Sequence, residues 1–221
     1  MKNDIIAIDG PAGAGKSTVS KKLAEKLSYT YIDTGAMYRS IAWKIQQSNI
    51  SVDEYDKVTN MLSKVKIDFK NSRIFVDNQD ISALIRTQQI GEMTSQVSAN
   101  QYVRQKMLAL QREICSEGKC VVEGRDIGTV VFPETPYKFY LDASVQIRAK
   151  RRYQELKNYD VDSDLEKIKK SIEERDKRDS ERTFAPLKRA ADAYYIHTDT
   201  YSIEEVVVLI LNQIRHKEKD G

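Results

Sequence analysis

The feature that most constrains this chain is the run Gly10-Pro11-Ala12-Gly13-Ala14-Gly15-Lys16-Ser17, which satisfies the pattern G-x-x-x-x-G-K-S/T. Backbone N–H groups can converge on phosphate oxygens only through dihedrals and close approaches that side chains obstruct, so such a loop needs glycine. The flanks agree with that use. Asp4 to Asp9 is a short apolar run suited to a buried strand, and Val19, Leu23, Ala24 and Leu27 recur behind the loop at helical spacing, with charged residues between them. Strand, loop and helix in that order aim a helix N-terminus at the phosphates. Gly10, Pro11, Ala12, Gly13, Ala14, Gly15, Lys16, Ser17 and Thr18 are therefore the candidate donor contacts, with Lys16 reaching the β- and γ-phosphates and the Ser17 hydroxyl ligating Mg²⁺. ATP with Mg²⁺ is the expected phosphoryl donor.

The rest of the chain continues the alternation of strand and helix. Tyr29 to Ile32, Lys119 to Glu123, Lys138 to Leu141 and Tyr194 to His197 read as further strands, and Met37, Ile41 and Ile45 mark a second helix. A last helix begins near Ile203, and Val145 to Arg189 reads as helical and densely charged. This is the pattern of an α/β fold with a parallel sheet and crossover helices. Between its elements, Val65 to Phe69 and Arg73 to Asp77 alternate apolar and polar residues around Lys70-Asn71-Ser72, which predicts an inserted β-hairpin.

At 221 residues the economical organisation is one main domain with insertions. Thirty-six basic residues nearly balance thirty-three acidic ones, so the formal charge of +3 gives no argument for nucleic acid as a partner. No apolar run is long enough to span a bilayer, and Ile5 to Ile8 lacks the features of a signal peptide. Two cysteines, Cys115 and Cys120, and two histidines offer neither a disulfide framework nor zinc-ligand spacing, which fits a reducing cytoplasm. A regulatory GTPase would carry N-K-x-D and D-x-x-G, and neither pattern occurs. A nucleic-acid motor would need a larger chain and a basic channel. A small-molecule kinase is the class left.

Several longer motifs narrow it. Ile8-Asp-Gly-Pro-Ala-Gly-Ala-Gly-Lys-Ser17, Asp33-Thr-Gly-Ala-Met-Tyr-Arg39, Ile85-Arg-Thr87, Glu123-Gly-Arg-Asp-Ile-Gly-Thr-Val-Val-Phe-Pro133, Leu141-Asp-Ala-Ser144, Glu174-Arg-Asp-Lys-Arg-Asp179 and Ala185-Pro-Leu187 together resemble the bacterial cytidylate kinases, P-loop nucleoside monophosphate kinases, along nearly the whole chain. The resemblance implies a three-layer αβα architecture with a five-stranded parallel sheet, an enlarged monophosphate-binding subdomain with a small antiparallel sheet, and a short lid. On this reading the core comprises 1–32, 106–150 and 185–221, the monophosphate-binding part 33–105, and the lid with its flanking helices 151–184. Departures are small. Glu123 stands before Gly-Arg-Asp where an Asp or an Ala-Asp pair is also common in the family, and the lid stretch near Asn158 is family-variable.

The acceptor under this resemblance is CMP or dCMP, small-molecule partners rather than nucleic acid or membrane, and the enzyme is expected to be a monomer. A monophosphate carries two negative charges and suits planar guanidinium forks, for which Arg39 and Arg125 are the prime candidates. The resemblance adds Thr34 and Tyr38 as hydroxyl donors and brings Arg175 and Arg182 in to close over the phosphates. Arg148, Arg151, Arg152 and Arg189 stay outside the site, with a solvated surface charge the even alternative for Arg148 and Arg189. Cytosine presents an amino donor and an unprotonated ring nitrogen where uracil presents a carbonyl and an N–H. Asp126 can accept from the amino group and Arg104 can donate to the ring nitrogen and carbonyl; Ser95 joins them by resemblance, against the plain reading of a helix-surface serine. Asp179 resembles the ribose contact and could equally be an i,i+4 partner of Arg175. A kinase for uridine or adenosine monophosphate or for shikimate stays open, as, more remotely, does an RNA-associated protein using the same arginines. His197 reads as structural.

Overall fold

β1 (Ile5–Asp9) is apolar without alternation, and the reason is burial on both of its faces. Ile6 and Ile8 point into a cluster with Val19 and Leu23 of α1 (Lys16–Leu27) and Val207 and Ile210 of α8 (Ile203–Lys219), while Ile5 and Ala7, on the opposite face, are equally buried. A strand covered on both sides belongs at the centre of a sheet. Here it lies between β6 (Cys120–Gly124) and β7 (Tyr137–Asp142), parallel to both, in a five-stranded sheet of order β2-β6-β1-β7-β8, where β2 is Thr30–Asp33 and β8 is Tyr194–His197. This computed structural model describes residues 4–70, 73–157 and 164–219. Asn71 and Ser72 of the expected hairpin turn, and the lid stretch near Asn158, lie outside the described residues.

The chain divides into two compact units, one made of residues up to Tyr31 and from Gly118 onward, the other of Ile32–Glu117. In the first, α6 (Val145–Lys157) and α7 (Leu165–Glu181) pack on one another, and the register pairs Asp9 with both Gly124 and Tyr140. In the second, α2 (Thr34–Gln47) packs on α4 (Gln88–Val97) and α5 (Gln101–Ile114), and α3 (Tyr55–Lys64) also meets α5. Side chains open α2, α4 and α5: Asp33 accepts from the Ala36 N–H, Thr87 from Ile90, and Asn100 from Tyr102 and Val103. The expected hairpin is present as β3 (Ile67–Lys70) and β4 (Arg73–Val76), antiparallel.

Three details differ from the sequence reading. The hairpin gains a third strand, β5 (Gln79–Asp80), after the turn at Asp77 and Asn78, both at positive φ. The charged helical stretch stops at Glu181 and not at Arg189: Arg182 is already extended at ψ 140°, and Pro186, which has no N–H to give, disfavours a helix beyond it. A short π-helix, Ile127–Val131, follows β6 where the sequence shows only an apolar run.

Candidate active site

In the first unit the loop after β1 owes its shape to two glycines above all. Gly10 has φ +148°, and a Cβ there would lie 1.9 Å from the Leu141 carbonyl oxygen. Gly13 has φ +79°, with its missing Cβ 3.0 Å from the Cβ of Arg148. No L side chain satisfies both the angle and the space. Lys16 opens α1 and turns back across the loop, donating from Nζ to the Pro11 carbonyl at 2.7 Å. Burial pushes its pKa down to about 7, and Arg125 and Arg175 add to the effect against the opposing pull of Glu123 and Asp9. Such a group of cations suits a polyanion, which would return the lysine to its charged form. The Ser17 side chain is exposed beside it, and no group of three His, Cys, Asp or Glu side chains able to hold a metal occurs among the described residues. The exposed Ser17 hydroxyl would suit an Mg²⁺ ion that arrives with a phosphate ligand.

Beyond the loop, the Arg125 Nε donates to Asp179 at 3.0 Å, and Arg182 approaches Asp179 at 3.6 Å and Asp126 at 3.8 Å. Burial would raise the Asp179 pKa, but Arg125, Arg175 and Arg182 outweigh it and hold the carboxyl below its usual range. Arg182 is itself oriented by donating from Nε to the Ala185 carbonyl at 2.6 Å, so the positive-φ residue after α7 serves to aim it. Lys16, Arg125, Asp126, Arg175, Asp179 and Arg182, distant in sequence, therefore gather in one unit.

The second unit carries Thr34, Tyr38, Arg39, Ser95 and Arg104. Asp33, the cap of α2, also accepts from Arg39 at 3.0 Å, so one carboxylate starts the helix and orients the guanidinium on its second turn. Arg104 is buried, donates to the Ser98 carbonyl at 3.2 Å, and stacks its guanidinium 5.3 Å from the centre of the Tyr38 ring. Thr34 is buried too. Ser95 is 5% exposed, which overturns the helix-surface alternative for it.

The chain as a whole has relatives among known proteins. The cytidylate kinase family matches residues 6–216. The chain belongs to that family. It is 43% identical over 215 residues to a cytidylate kinase of Thermodesulfovibrio yellowstonii, covering 95% of this chain and 97% of that one. It is 45% identical over 223 residues to a bifunctional pantoate ligase/cytidylate kinase of Prochlorococcus marinus, covering 98% of this chain but only 43% of that longer protein. Among solved structures, an uncharacterized protein from Eubacterium ventriosum superposes with a TM-score of 0.53 at 14% identity, over 96% of this chain and 98% of the other, a likeness of fold alone.

Two arginines left outside the site by the sequence reading brace the phosphate loop of this cytidylate kinase family member. Arg148 is 4% exposed and not a surface charge: its Nε donates to the Ala143 carbonyl at 2.9 Å, and its Nη1 reaches both the Ala12 carbonyl at 3.2 Å and Asp176 of α7 at 2.6 Å. Arg151, one turn further along α6, donates to the carbonyls of Gly13 (3.3 Å) and Thr198 (2.8 Å) and to the Thr198 hydroxyl (3.1 Å), which itself donates to the Ala14 carbonyl at 3.1 Å. Loop N–H groups face a ligand only if the loop carbonyls are held elsewhere, and these side chains hold them. The signal available in the sequence is the i,i+3 spacing of 148 and 151, which puts both on one helix face. Arg152 instead pairs with Glu155 on the exposed surface, and Arg189 covers the Tyr195 ring.

Proposed function

We propose that the chain transfers the terminal phosphoryl group of ATP to CMP and dCMP, giving CDP and dCDP. The observation that carries this reading is near-full-length identity of 43% to a cytidylate kinase, on a fold whose loop after β1 is shaped for polyphosphate. Gly10 to Thr18 hold the donor, with Lys16 on the β- and γ-phosphates and Ser17 as the protein ligand of the accompanying Mg²⁺. That ion supplies charge neutralisation between the phosphates. Arg39 and Arg125 take the acceptor phosphate with Thr34 and Tyr38, while Arg175 and Arg182 stabilise charge on the group in transit. Ser95, Arg104 and Asp126 read cytosine, and Asp179 accepts from the ribose hydroxyls.

No general base is required, because the attacking phosphate oxygen is already ionised at neutral pH and transfer depends on alignment and charge. The pairing of Asp179 with Arg125 and Arg182 gives these arginines a partner that a substrate phosphate then shares. For the parts, we propose a monophosphate-binding subdomain over 33–105, a lid with flanking helices over 151–184 that excludes water, and a core from the remainder. The enzyme is further proposed to work as a cytoplasmic monomer on free nucleotides. The two cysteines are buried thiols, and no described helix is long and apolar enough to cross a membrane. The test is ADP release from ATP and Mg²⁺ with cytidine, deoxycytidine, uridine, adenosine and guanosine monophosphates in turn. Preference for the two cytosine acceptors is expected; activity centred on another base would overturn the roles of Ser95, Arg104 and Asp126.

A further inference from the structure

Asp9 has no place in the chemistry above, yet few side chains in the first unit are more constrained. It ends β1, directly before Gly10, and is 5% exposed. Its backbone is in register with Gly124, the last residue of β6, after which the chain passes through Arg125 and Asp126 and folds back over the Asp9 carboxylate. One carboxylate oxygen accepts from the Ile127 N–H and the other from the Gly128 N–H, each at 2.8 Å. A Cβ on Gly128 would stand 3.4 Å from the second oxygen and 3.2 Å from the Lys138 stem, so the approach is close on both sides.

We propose that Asp9 is a positioning residue for the transfer step, in which its carboxylate locks the segment bearing Arg125 and Asp126 to the base of the phosphate loop. The π-helix that begins at Ile127 starts with N–H groups that have no partner within it, and Asp9 supplies two of the missing acceptors. Arg125 and Asp126 stand between two fixed points, the sheet register at Gly124 and the clamp at Ile127 and Gly128. Their side chains consequently keep a set offset from a loop that begins one residue after Asp9. Keeping this carboxylate charged opposes burial, which pushes its pKa up to about 6; the neighbouring Asp126 adds to that, while the two N–H groups and Lys16 resist it. Tyr140, beside Asp9 on β7, has its own pKa pushed up by burial, with Asp142 and Asp9 contributing. A neutral side chain of the same shape would sit there with less desolvation, so the charge is better explained by what it holds than by what it contributes to folding.

The inference rests on the roles given above to Arg125 and Asp126, and the experiment separates the two. Asp9→Asn keeps the shape but opposes an N–H donor to one of the two backbone donors. Amide hydrogen exchange on the full-length protein without nucleotide should show Ile127 and Gly128 losing protection by about tenfold or more, with Val121 and Val122 of β6 unchanged. With saturating ATP and CMP, kcat should fall by about tenfold to a hundredfold while KM for ATP stays within about twofold. Unchanged exchange at both amides, or wild-type kcat in the variant, overturns the proposal; a KM for ATP that rises as far as kcat falls does so too, since it would make Asp9 merely a support of the donor loop. If Asp9→Asn does not fold, exchange in the wild-type protein between pH 8 and pH 5 replaces it: protection of these two amides must fall together through the carboxyl titration, and steady protection sinks the clamp. Should the wild-type enzyme prefer an acceptor other than a cytosine nucleotide while both amides still lose protection in Asp9→Asn, the substrate reading fails and the clamp stands.

Discussion

The loop after β1 and the helices of the second unit both present hydrogen-bond donors, and they do so by opposite means. Around Lys16 the work is done by backbone: Gly10 and Gly13 permit the turn, and Arg148, Arg151 and Thr198 take up loop carbonyls. On α2 and α5 it is done by individual side chains, each with its own support, Arg39 on Asp33 and Arg104 on Ser98 and Tyr38. A backbone cradle recognises any polyphosphate and tolerates little change in its own residues. A side-chain array can be altered one contact at a time and can therefore discriminate between acceptors.

The largest break in this comparison should come from Lys16→Ala, which is expected to lower transfer by about a thousandfold with the fold intact by circular dichroism. A folded variant with wild-type turnover would contradict the donor assignment. Asp126→Ala should reduce kcat/KM for CMP by about tenfold to a hundredfold and leave ATP affinity nearly unchanged, as expected for loss of one charged hydrogen bond to the base. Equal loss for both nucleotides would place Asp126 elsewhere.

A pH titration sharpens the contrast, since burial and the flanking arginines hold Lys16 at about 7. Bound phosphate favours the charged amine, so binding takes up a proton once the pH exceeds that value. Affinity for a non-hydrolysable ATP analogue should fall as pH rises from 7 to 9, by at most about tenfold per unit, and calorimetry in two buffers should show proton uptake at pH 8. Affinity independent of pH across that range, without proton uptake, would contradict the placement. The smallest effect is local to the second unit. Asn100→Ala removes the cap of α5, which carries Arg104, and should cost about 1 kcal/mol, lowering Tm by about 2–4 °C. CMP KM should rise with it while ATP affinity does not.

Much of this contrast is legible in the amino-acid sequence, because the two means leave different traces there. The glycine loop is contiguous, its spacing is set by backbone geometry, β1 follows from an unbroken apolar run and α1 from helical period. The central strands agree to within a residue: Cys120–Gly124 and Tyr137–Asp142 against expected ranges of 119–123 and 138–141. The third hairpin strand leaves no such trace, because two exposed residues, Gln79 and Asp80, carry no apolar alternation. Arg148 is hard to distinguish from a surface charge for a related reason. Lys150, Arg151 and Arg152 follow it closely on α6, and nothing in one helix's composition tells which of its arginines finds a carbonyl across the fold.

Local sequence determined the phosphate loop, the α/β alternation and the helix starts at Asp33, Thr87 and Asn100, because each depends on dihedrals, period or a hydrogen bond within a few residues. Tertiary structure alone decided that Ser95, Arg104 and Arg148 are buried, that Asp179 is shared between Arg125 and Arg182, and that Asp9 holds Ile127 and Gly128. The partners that fix Arg148, Asp179 and Asp9 lie far off along the chain, 136 residues from Arg148 to Ala12, 54 from Arg125 to Asp179 and 118 from Asp9 to Ile127, and no local pattern encodes an encounter at that distance.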